Sequence, residues 1–204
     1  MFATSSPPPS GPWAGAARTE PQPRAPLRTD LLDTLMRLHR EGVAARETRR
    51  LVPDAIEHRD LIRWEQRAAR ELRSMFDEVG WPGLDVVGEV GAEAAWWCVL
   101  LCDRLTAFQR DAHGLLQDAG ERQAAPARHL AYLDDRLLMH HGEPQQFGTQ
   151  HQLFADGCVE PYPVDNPALV AERRRSIGLP PTACRTAALR LLSLTRGPPL
   201  DDHR

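Results

Sequence analysis

The feature that most constrains this chain is a run of eight apolar residues at positions 94–101, Ala-Ala-Trp-Trp-Cys-Val-Leu-Leu. A helix that is apolar on all sides is stable only when neighbouring elements cover it. The run is too short to cross a bilayer, which takes about 20 residues in a helix. We therefore predict a central helix over about residues 92–103, buried within a helical domain.

Further helices are predicted around this central helix, because apolar residues recur there at intervals of three or four. Gly80-Trp81-Pro82-Gly83 ends one of these helices, since proline and glycine both interrupt a helix. The remaining bounds are approximate, and a final helix ends near Leu194. The predicted spans are residues 29–50, 55–79, 106–119, 125–140 and 168–177.

The spacing of apolar residues changes after Gly142. Asp156-Gly157 separates two short, partly alternating runs at about 148–154 and 158–164, a pattern typical of a β-hairpin. We therefore predict a mainly α fold, with about six helices in an orthogonal or bundle-like arrangement and one small β-hairpin.

The ends of the chain differ from its middle in composition. Residues 1–26 are rich in Pro, Ala, Gly and Ser and are predicted to be a disordered tail. Residues 27–196 form one predicted helical domain, and residues 197–204 are expected to fray. The N-terminal residues lack the charged start and apolar stretch of a signal peptide, so we expect a cytoplasmic protein.

Charge and cysteine content exclude several functions. All 25 basic residues are arginine, which rules out a lysine Schiff base and a P-loop lysine. The net charge of −3 gives no general attraction to nucleic acid or to an anionic membrane. The four cysteines have no CxxC spacing and are read as reduced, small apolar residues. We expect no cofactor.

The functional centre is predicted at residues 131–151, where a helix runs into a polar loop. The helix is apolar on more than one side, and Asp135 interrupts that pattern. A buried carboxylate must be paired or protonated, and such groups serve either as active-site acids or as structural hubs. Asp134 lies on the side of the same helix that carries its leucines. We therefore expect it either at a contact between two helices or facing solvent.

The loop at residues 142–151 concentrates amide and hydroxyl groups, with Gln145, Thr149 and Gln150 among them. Amides donate and accept hydrogen bonds, so these side chains suit the reading of a polar ligand. They equally suit a structural role, in which they satisfy backbone groups around the buried aspartate.

Other charged residues have simpler interpretations. One of the arginines at 173–175 is predicted to reach inward, to pair with Asp135 or with an anionic ligand. Glu89 and Glu93 are read as acidic residues favoured near a helix N-terminus. The histidines lack HExxH or HxH spacing, so no metal site is predicted.

Four motifs occur in order: Gly-Trp-Pro at 80–82, Ala-Tyr-Leu-x-Asp-Arg at 131–136, Gly-x-Pro-Gln-x-Phe-Gly-Thr-Gln at 142–150, and Arg-x-x-x-Gly-Leu at 174–179. Together they resemble a bacterial family of domains of unknown function. The resemblance singles out six polar residues: Asp135, Arg136, Gln145, Thr149, Gln150 and Arg174.

Two departures from the family pattern bear on function. The family usually has tyrosine where this chain has Phe147, and it tends to carry a Gln-His pair where this chain has Leu100-Leu101. If that pair acts in catalysis in relatives, its replacement favours a binding role or a specialised pathway enzyme here.

These observations predict a small cytoplasmic enzyme that acts on a polar small molecule or peptide, in a specialised biosynthetic pathway. Asp135 is the predicted acid, base or orienting carboxylate, and Arg136 or Arg174 clamps an anionic group. Gln145, Thr149 and Gln150 contact the ligand. The alternative is a non-catalytic binding protein, such as an immunity, regulatory or scaffold partner. A third interpretation makes the whole polar block structural.

Overall fold

The computed structural model describes residues 27–51, 55–153 and 159–181. Within these ranges the chain forms six helices and one antiparallel hairpin, which confirms the mainly α fold. The predicted tail at 1–26, the Asp156-Gly157 turn, the final helix and the frayed end lie outside the described residues. The elements are α1 (Thr29–Leu51), α2 (Ala55–Val79), α3 (Leu84–Leu101), α4 (Thr106–Glu121), α5 (Ala127–His140), β1 (His151–Leu153), β2 (Val159–Pro161) and α6 (Pro167–Ser176).

The core surrounds α3, as its apolar sequence requires. α1, α2, α4 and α5 all contact this helix, and α1 also packs on α2 while α4 packs on α5. Each fully buried leucine contributes about 1.5–3 kcal/mol of transfer free energy, so this layer dominates the stability. In the part of the chain that the structure describes, no helix is long and apolar enough to cross a membrane. Leucines with no exposed surface include Leu35, Leu38, Leu61, Leu72, Leu100, Leu101, Leu116 and Leu133.

The start of α3 corrects the sequence-based bounds. The helix begins at Leu84 rather than near residue 92, and it is broken at Gly88, whose φ is 71° and ψ is −179°. That conformation is essentially restricted to glycine. The apolar run marked only the buried part of the helix, so the preceding turn and the break were missed. The break makes Glu89 the first residue of the longer segment.

The hairpin is shorter than predicted. β1 and β2 have three residues each, with His151 opposite Pro161 and Leu153 opposite Val159. Proline has no N–H group for the ladder, which limits β2 at Pro161 and Pro163. The preceding loop joins the same ribbon, because Gln145 N–H donates to Pro163 O at 2.8 Å and Gln145 O accepts from the N–H of Asp165 at 2.7 Å.

Candidate functional site

Asp135 lies on α5 with no exposed surface, and its carboxylate holds the loop that follows the helix. Oδ1 accepts hydrogen bonds from the backbone N–H groups of Gln146 at 2.8 Å and Phe147 at 3.1 Å. Oδ2 accepts from both the N–H and the hydroxyl of Thr149, each at 2.9 Å. Gly148 allows the loop to turn around the carboxylate, because its φ is 62°.

Two opposing effects act on the acidity of Asp135. Burial raises the pKa of Asp135, whereas the hydrogen bonds from Thr149, Phe147 and Gln146 favour the charged form and lower it. Arg174 does reach inward, as predicted for one arginine of its cluster, and is 4% exposed. Its guanidinium does not bind the carboxylate, however; it donates to Phe147 O at 2.8 Å and to Pro180 O at 2.6 Å.

The two glutamines bind each other and the surrounding backbone. Gln145 Nε2 donates to Gln150 O at 3.0 Å and to Tyr162 O at 2.9 Å, and its Oε1 accepts from the Gln150 N–H at 2.6 Å. Gln150 Nε2 donates to Tyr132 O at 3.2 Å, one turn before Asp135 on α5. The glutamine pair therefore links the loop both to the hairpin and to α5.

Arg136 connects this assembly to the end of α3. Its Nε donates to Gln150 Oε1 at 2.8 Å, and its Nη1 pairs with Asp103. His140 Nε2 lies 3.2 Å from the same Asp103 oxygen. Although burial alone would raise the pKa of Asp103, the Arg136 guanidinium and the His140 ring hold it well below its usual range.

The six residues singled out by sequence therefore come together in one buried assembly, which we call the Asp135 network. Its side-chain donors and acceptors bind one another and the loop backbone. Asp134, by contrast, faces α4 and lies 2.5 Å from His113 Nε2, at a helix seam. The assignment of Asp135 and Arg136 to catalysis, and of the other four to ligand contact, stays a prediction. The network consists of Asp135, Arg136, Gln145, Thr149, Gln150 and Arg174.

A cavity of about 850 Å³ opens beside this network, between α1, α3, α5 and Leu179. Its size is within the range of small-molecule sites, about 300–1,000 Å³. Ring-bearing and acidic side chains predominate in its wall, and we call it the aromatic cavity. Its principal wall residues are His39, Glu89, Glu93, Trp97, His129 and Tyr132.

Glu93 and His129 form a hydrogen-bonded pair in the wall of the aromatic cavity. His129 Nε2 lies 2.8 Å from Glu93 Oε2, and Arg128 donates to the same oxygen at 3.0 Å. The His129 side chain is 1% exposed, whereas Glu93 is 40% exposed. The His129 ring stacks on Trp96, with ring centres 4.5 Å apart and planes 5° apart.

The environment sets the protonation of this pair. Burial lowers the pKa of His129 below the usual range of a histidine, although the hydrogen bond to Glu93 opposes that shift. The hydrogen bond from His129 lowers the pKa of Glu93. At pH 7 the pair is therefore a carboxylate and a neutral imidazole. With Nε2 donating to Glu93, Nδ1 carries the lone pair, and this buried atom has no hydrogen-bond partner among the residues described.

Sequence reasoning missed this pair. Glu93 and His129 are 36 residues apart, so no spacing rule could join them. The sequence places Glu93 near a helix N-terminus, where an acidic residue is expected without a further role, and His129 is one of 8 histidines. The available signal was a histidine in the first turn of a buried helix, which becomes informative only once α5 is placed against α3.

The Asp135 network also supports the aromatic cavity. Gln150 binds the backbone of Tyr132, a wall residue. Arg174 binds Pro180 O, and Leu179 N–H donates to Arg174 O at 2.9 Å. The network therefore fixes two parts of the cavity wall, one at Tyr132 and one at Leu179.

Within residues 27–51, 55–153 and 159–181, no three His, Cys, Asp or Glu side chains form a group that could hold a metal ion. The Glu93–His129 pair thus supplies two candidate ligands without a third.

A family comparison matches residues 53–197 to a model described as a family of unknown function, DUF6624. The chain belongs to this family. The membership predicted from the motifs is thus confirmed, and the DUF6624 match contains α2 to α6 together with the whole Asp135 network. α1, which supplies His39 to the cavity, precedes the matched residues. Searches of curated proteins and of solved structures found no match.

Proposed function

We propose that the protein is a small cytoplasmic enzyme that acts on a polar small molecule or peptide bound in the aromatic cavity. The observation that carries this proposal is the Glu93–His129 pair in the cavity wall, a half-exposed carboxylate held by a buried histidine. A carboxylate held in place by hydrogen bonds is a common proton acceptor in enzymes.

Glu93 is the proposed proton acceptor, because its carboxylate is the exposed member of the pair, whereas His129 Nδ1 is buried. His129 orients that carboxylate by donating a hydrogen bond from Nε2 at 2.8 Å. Positioned acid–base groups of this kind accelerate reactions by about 10²–10⁴-fold.

The Asp135 network has a positioning role in this proposal. The Asp135 carboxylate is bonded to the loop and has no exposed surface, so it acts on the cavity through the backbone that it orders. Arg136 and Arg174 likewise donate hydrogen bonds to oxygen atoms within the protein, Gln150 Oε1 and Phe147 O. The orienting function predicted for Asp135 is the one that this geometry supports.

The cellular setting is part of the proposal. Two buried free thiols, Cys98 and Cys102, support a reducing cytoplasm. Leu100 and Leu101 stand where the resemblance implies a Gln-His pair, a departure that favours a specialised reaction in a bacterial biosynthetic pathway.

The test is turnover of an extract of polar metabolites and peptides, analysed by mass spectrometry before and after incubation with the full chain. We expect His129→Gln to slow consumption of the affected compound at least about 100-fold. His113→Gln is the matched control, because it removes a second carboxylate-bonded histidine outside the cavity. Full turnover by folded His129→Gln protein would reject the role of His129, and no compound consumed by the wild type would reject the enzyme proposal.

A non-catalytic binding protein is the second candidate. Leu100 and Leu101 stand where the resemblance implies a Gln-His pair, and both have no exposed surface, so these positions are part of the core in this chain. A stoichiometric protein partner recovered with the full chain, and lost when residues 1–26 are removed, would support an immunity, regulatory or scaffold role.

A further inference from the structure

We infer that the aromatic cavity selects a small organic cation, an amine carried on an apolar body. This inference rests on the proposed function, in so far as it takes the cavity to be the ligand site. It names the class of substrate that the cavity fits.

The charges in the cavity wall are unbalanced toward the negative. Glu89 and Glu93 are both wall residues, and Arg128 is the single arginine of the wall. Arg128 is paired with Glu93 at 3.0 Å. Glu89 makes no ion pair with any residue in the described part of the chain, so its charge is available to a ligand.

The acidic and aromatic groups share one stripe of α3. Glu89, Glu93 and Trp97 follow at intervals of four residues, which places them on the same side of a helix. The stripe begins immediately after the break at Gly88, and all three residues line the cavity. A ligand lying along α3 therefore meets two carboxylates and an indole ring in succession.

The rings add an attraction that is specific for cations. Trp97 is half-buried and stacks on His39, with ring centres 6.4 Å apart, and it lies 4.9 Å from the Trp96 ring. Tryptophan has the strongest cation–π attraction of the aromatic side chains. An ammonium group near this ring and Glu89 gains both interactions, whereas a carboxylate in the same place is repelled.

Apolar wall residues define the rest of the ligand. Met36, Val90 and Leu179 line the cavity, and Val90 is 62% exposed although it is apolar. An apolar body attached to the amine covers this surface. A carboxylate-bearing substrate, which was expected from the arginines, finds Arg136 and Arg174 already bonded to internal acceptors.

Three probes with the same ring and different ends test the inference: 2-phenylethylammonium, 2-phenylethanol and 3-phenylpropionate. Their dissociation constants are measured with the full chain by calorimetry at low ionic strength. We expect the ammonium to bind about tenfold more tightly than the alcohol, and the carboxylate to bind most weakly. Added salt should reduce the advantage of the ammonium.

Glu89→Gln should remove most of that advantage, leaving the ammonium and the alcohol within about threefold of each other. Glu143→Gln is the control, because Glu143 is exposed in a loop that does not line the cavity. Equal binding of ammonium and alcohol to the wild type, tighter binding of the carboxylate, or no binding of any probe would overturn the inference.

The two proposals fail in different ways. If His129 takes no part in chemistry, turnover is unchanged in His129→Gln while the ranking of the three probes persists. If the cavity does not select cations, the ranking is lost while the dependence of turnover on His129 remains.

Discussion

Two carboxylates at α5 have different surroundings: Asp135 lies on the helix itself, and Glu93 contacts the helix from α3. Asp135 has no exposed surface, and its two oxygens accept from three backbone N–H groups and one hydroxyl. Glu93 is 40% exposed at the edge of a cavity and binds one buried histidine and one arginine. The first carboxylate is saturated by its own chain, whereas the second retains room for a further partner.

Polar groups that are fully bonded within the protein stabilise its structure, whereas a polar group that is partly exposed can still bind a ligand. A fully bonded buried network fixes one conformation, and a half-open carboxylate–histidine pair beside a cavity is typical of sites that act on ligands. The sequence motifs mark the first region strongly and the second hardly at all. Prominence in a motif therefore does not by itself indicate which polar groups a ligand can reach.

The largest expected effect comes from removing the carboxylate at the centre of the Asp135 network. Asp135→Ala leaves buried donors of the loop without an acceptor, so we expect the free energy of unfolding to fall by roughly 3–5 kcal/mol. Urea denaturation followed by circular dichroism measures the change. Asp134→Ala, one residue earlier and bonded to His113, should change it by less than about 1 kcal/mol. Similar values for the two variants would contradict the contrast drawn between the carboxylates.

The next effect concerns the backbone at Gly88, the break in α3 that comes directly before the cavity residue Glu89. Gly88→Ala places a side chain at a φ of 71° and a ψ of −179°, and it should lower the free energy of unfolding by roughly 1–3 kcal/mol. We also expect weaker binding of the ammonium probe, because Glu89 follows directly. Gly114→Ala in α4 is the control and should stabilise by about 0.5–1 kcal/mol, since nothing lies within 4 Å of its added Cβ. A neutral Gly88→Ala would show that the break is not required.

The smallest effect is a dependence of stability on pH. Burial lowers the pKa of folded His129 below 6.5, so the unfolded chain binds the proton more readily as the pH falls below that value. The free energy of unfolding should therefore decrease between pH 7.5 and 5.5, by at most about 1.4 kcal/mol per pH unit.

The comparison of wild type with His129→Gln isolates this component. The pKa of His151 is also lowered by burial, but that residue is present in both proteins and cancels in the difference. Parallel pH profiles for the two proteins would mean that His129 is as easily protonated in the folded chain as in the unfolded one.

Much of the fold follows from local patterns. The bounds of α2, Ala55–Val79, coincide with the prediction, because the apolar spacing is regular and Gly80 ends the helix sharply. α3 was misjudged at its start, since the Gly88 break interrupts the apolar spacing. The first hairpin strand was predicted too long, because a pattern of alternation does not show where the pairing begins. The short second strand does follow from the sequence, because Pro161 and Pro163 lack an N–H group.

The candidate site was predictable only in part. The burial and pairing of Asp135 follow from a carboxylate that interrupts the apolar pattern of its helix, and the structure shows both. An arginine was one predicted partner, whereas the groups that bind the carboxylate are three backbone N–H groups and the Thr149 hydroxyl of the next loop. The Glu93–His129 contact was not foreseeable, because it forms only when α3 packs on α5. No rule of sequence spacing links two residues that are 36 positions apart.

The sequence separations within the two regions have a consequence for how the chain reaches its fold. Asp135 binds residues only 11 to 14 positions ahead of it, so the loop around it closes at a small cost in chain entropy. The aromatic cavity joins α1 to α5 and to Leu179, and it exists only after those distant segments have met. Protection of the loop amides from hydrogen exchange should therefore develop early in refolding, while a ligand bound in the cavity slows global unfolding and leaves the loop's own formation unaffected.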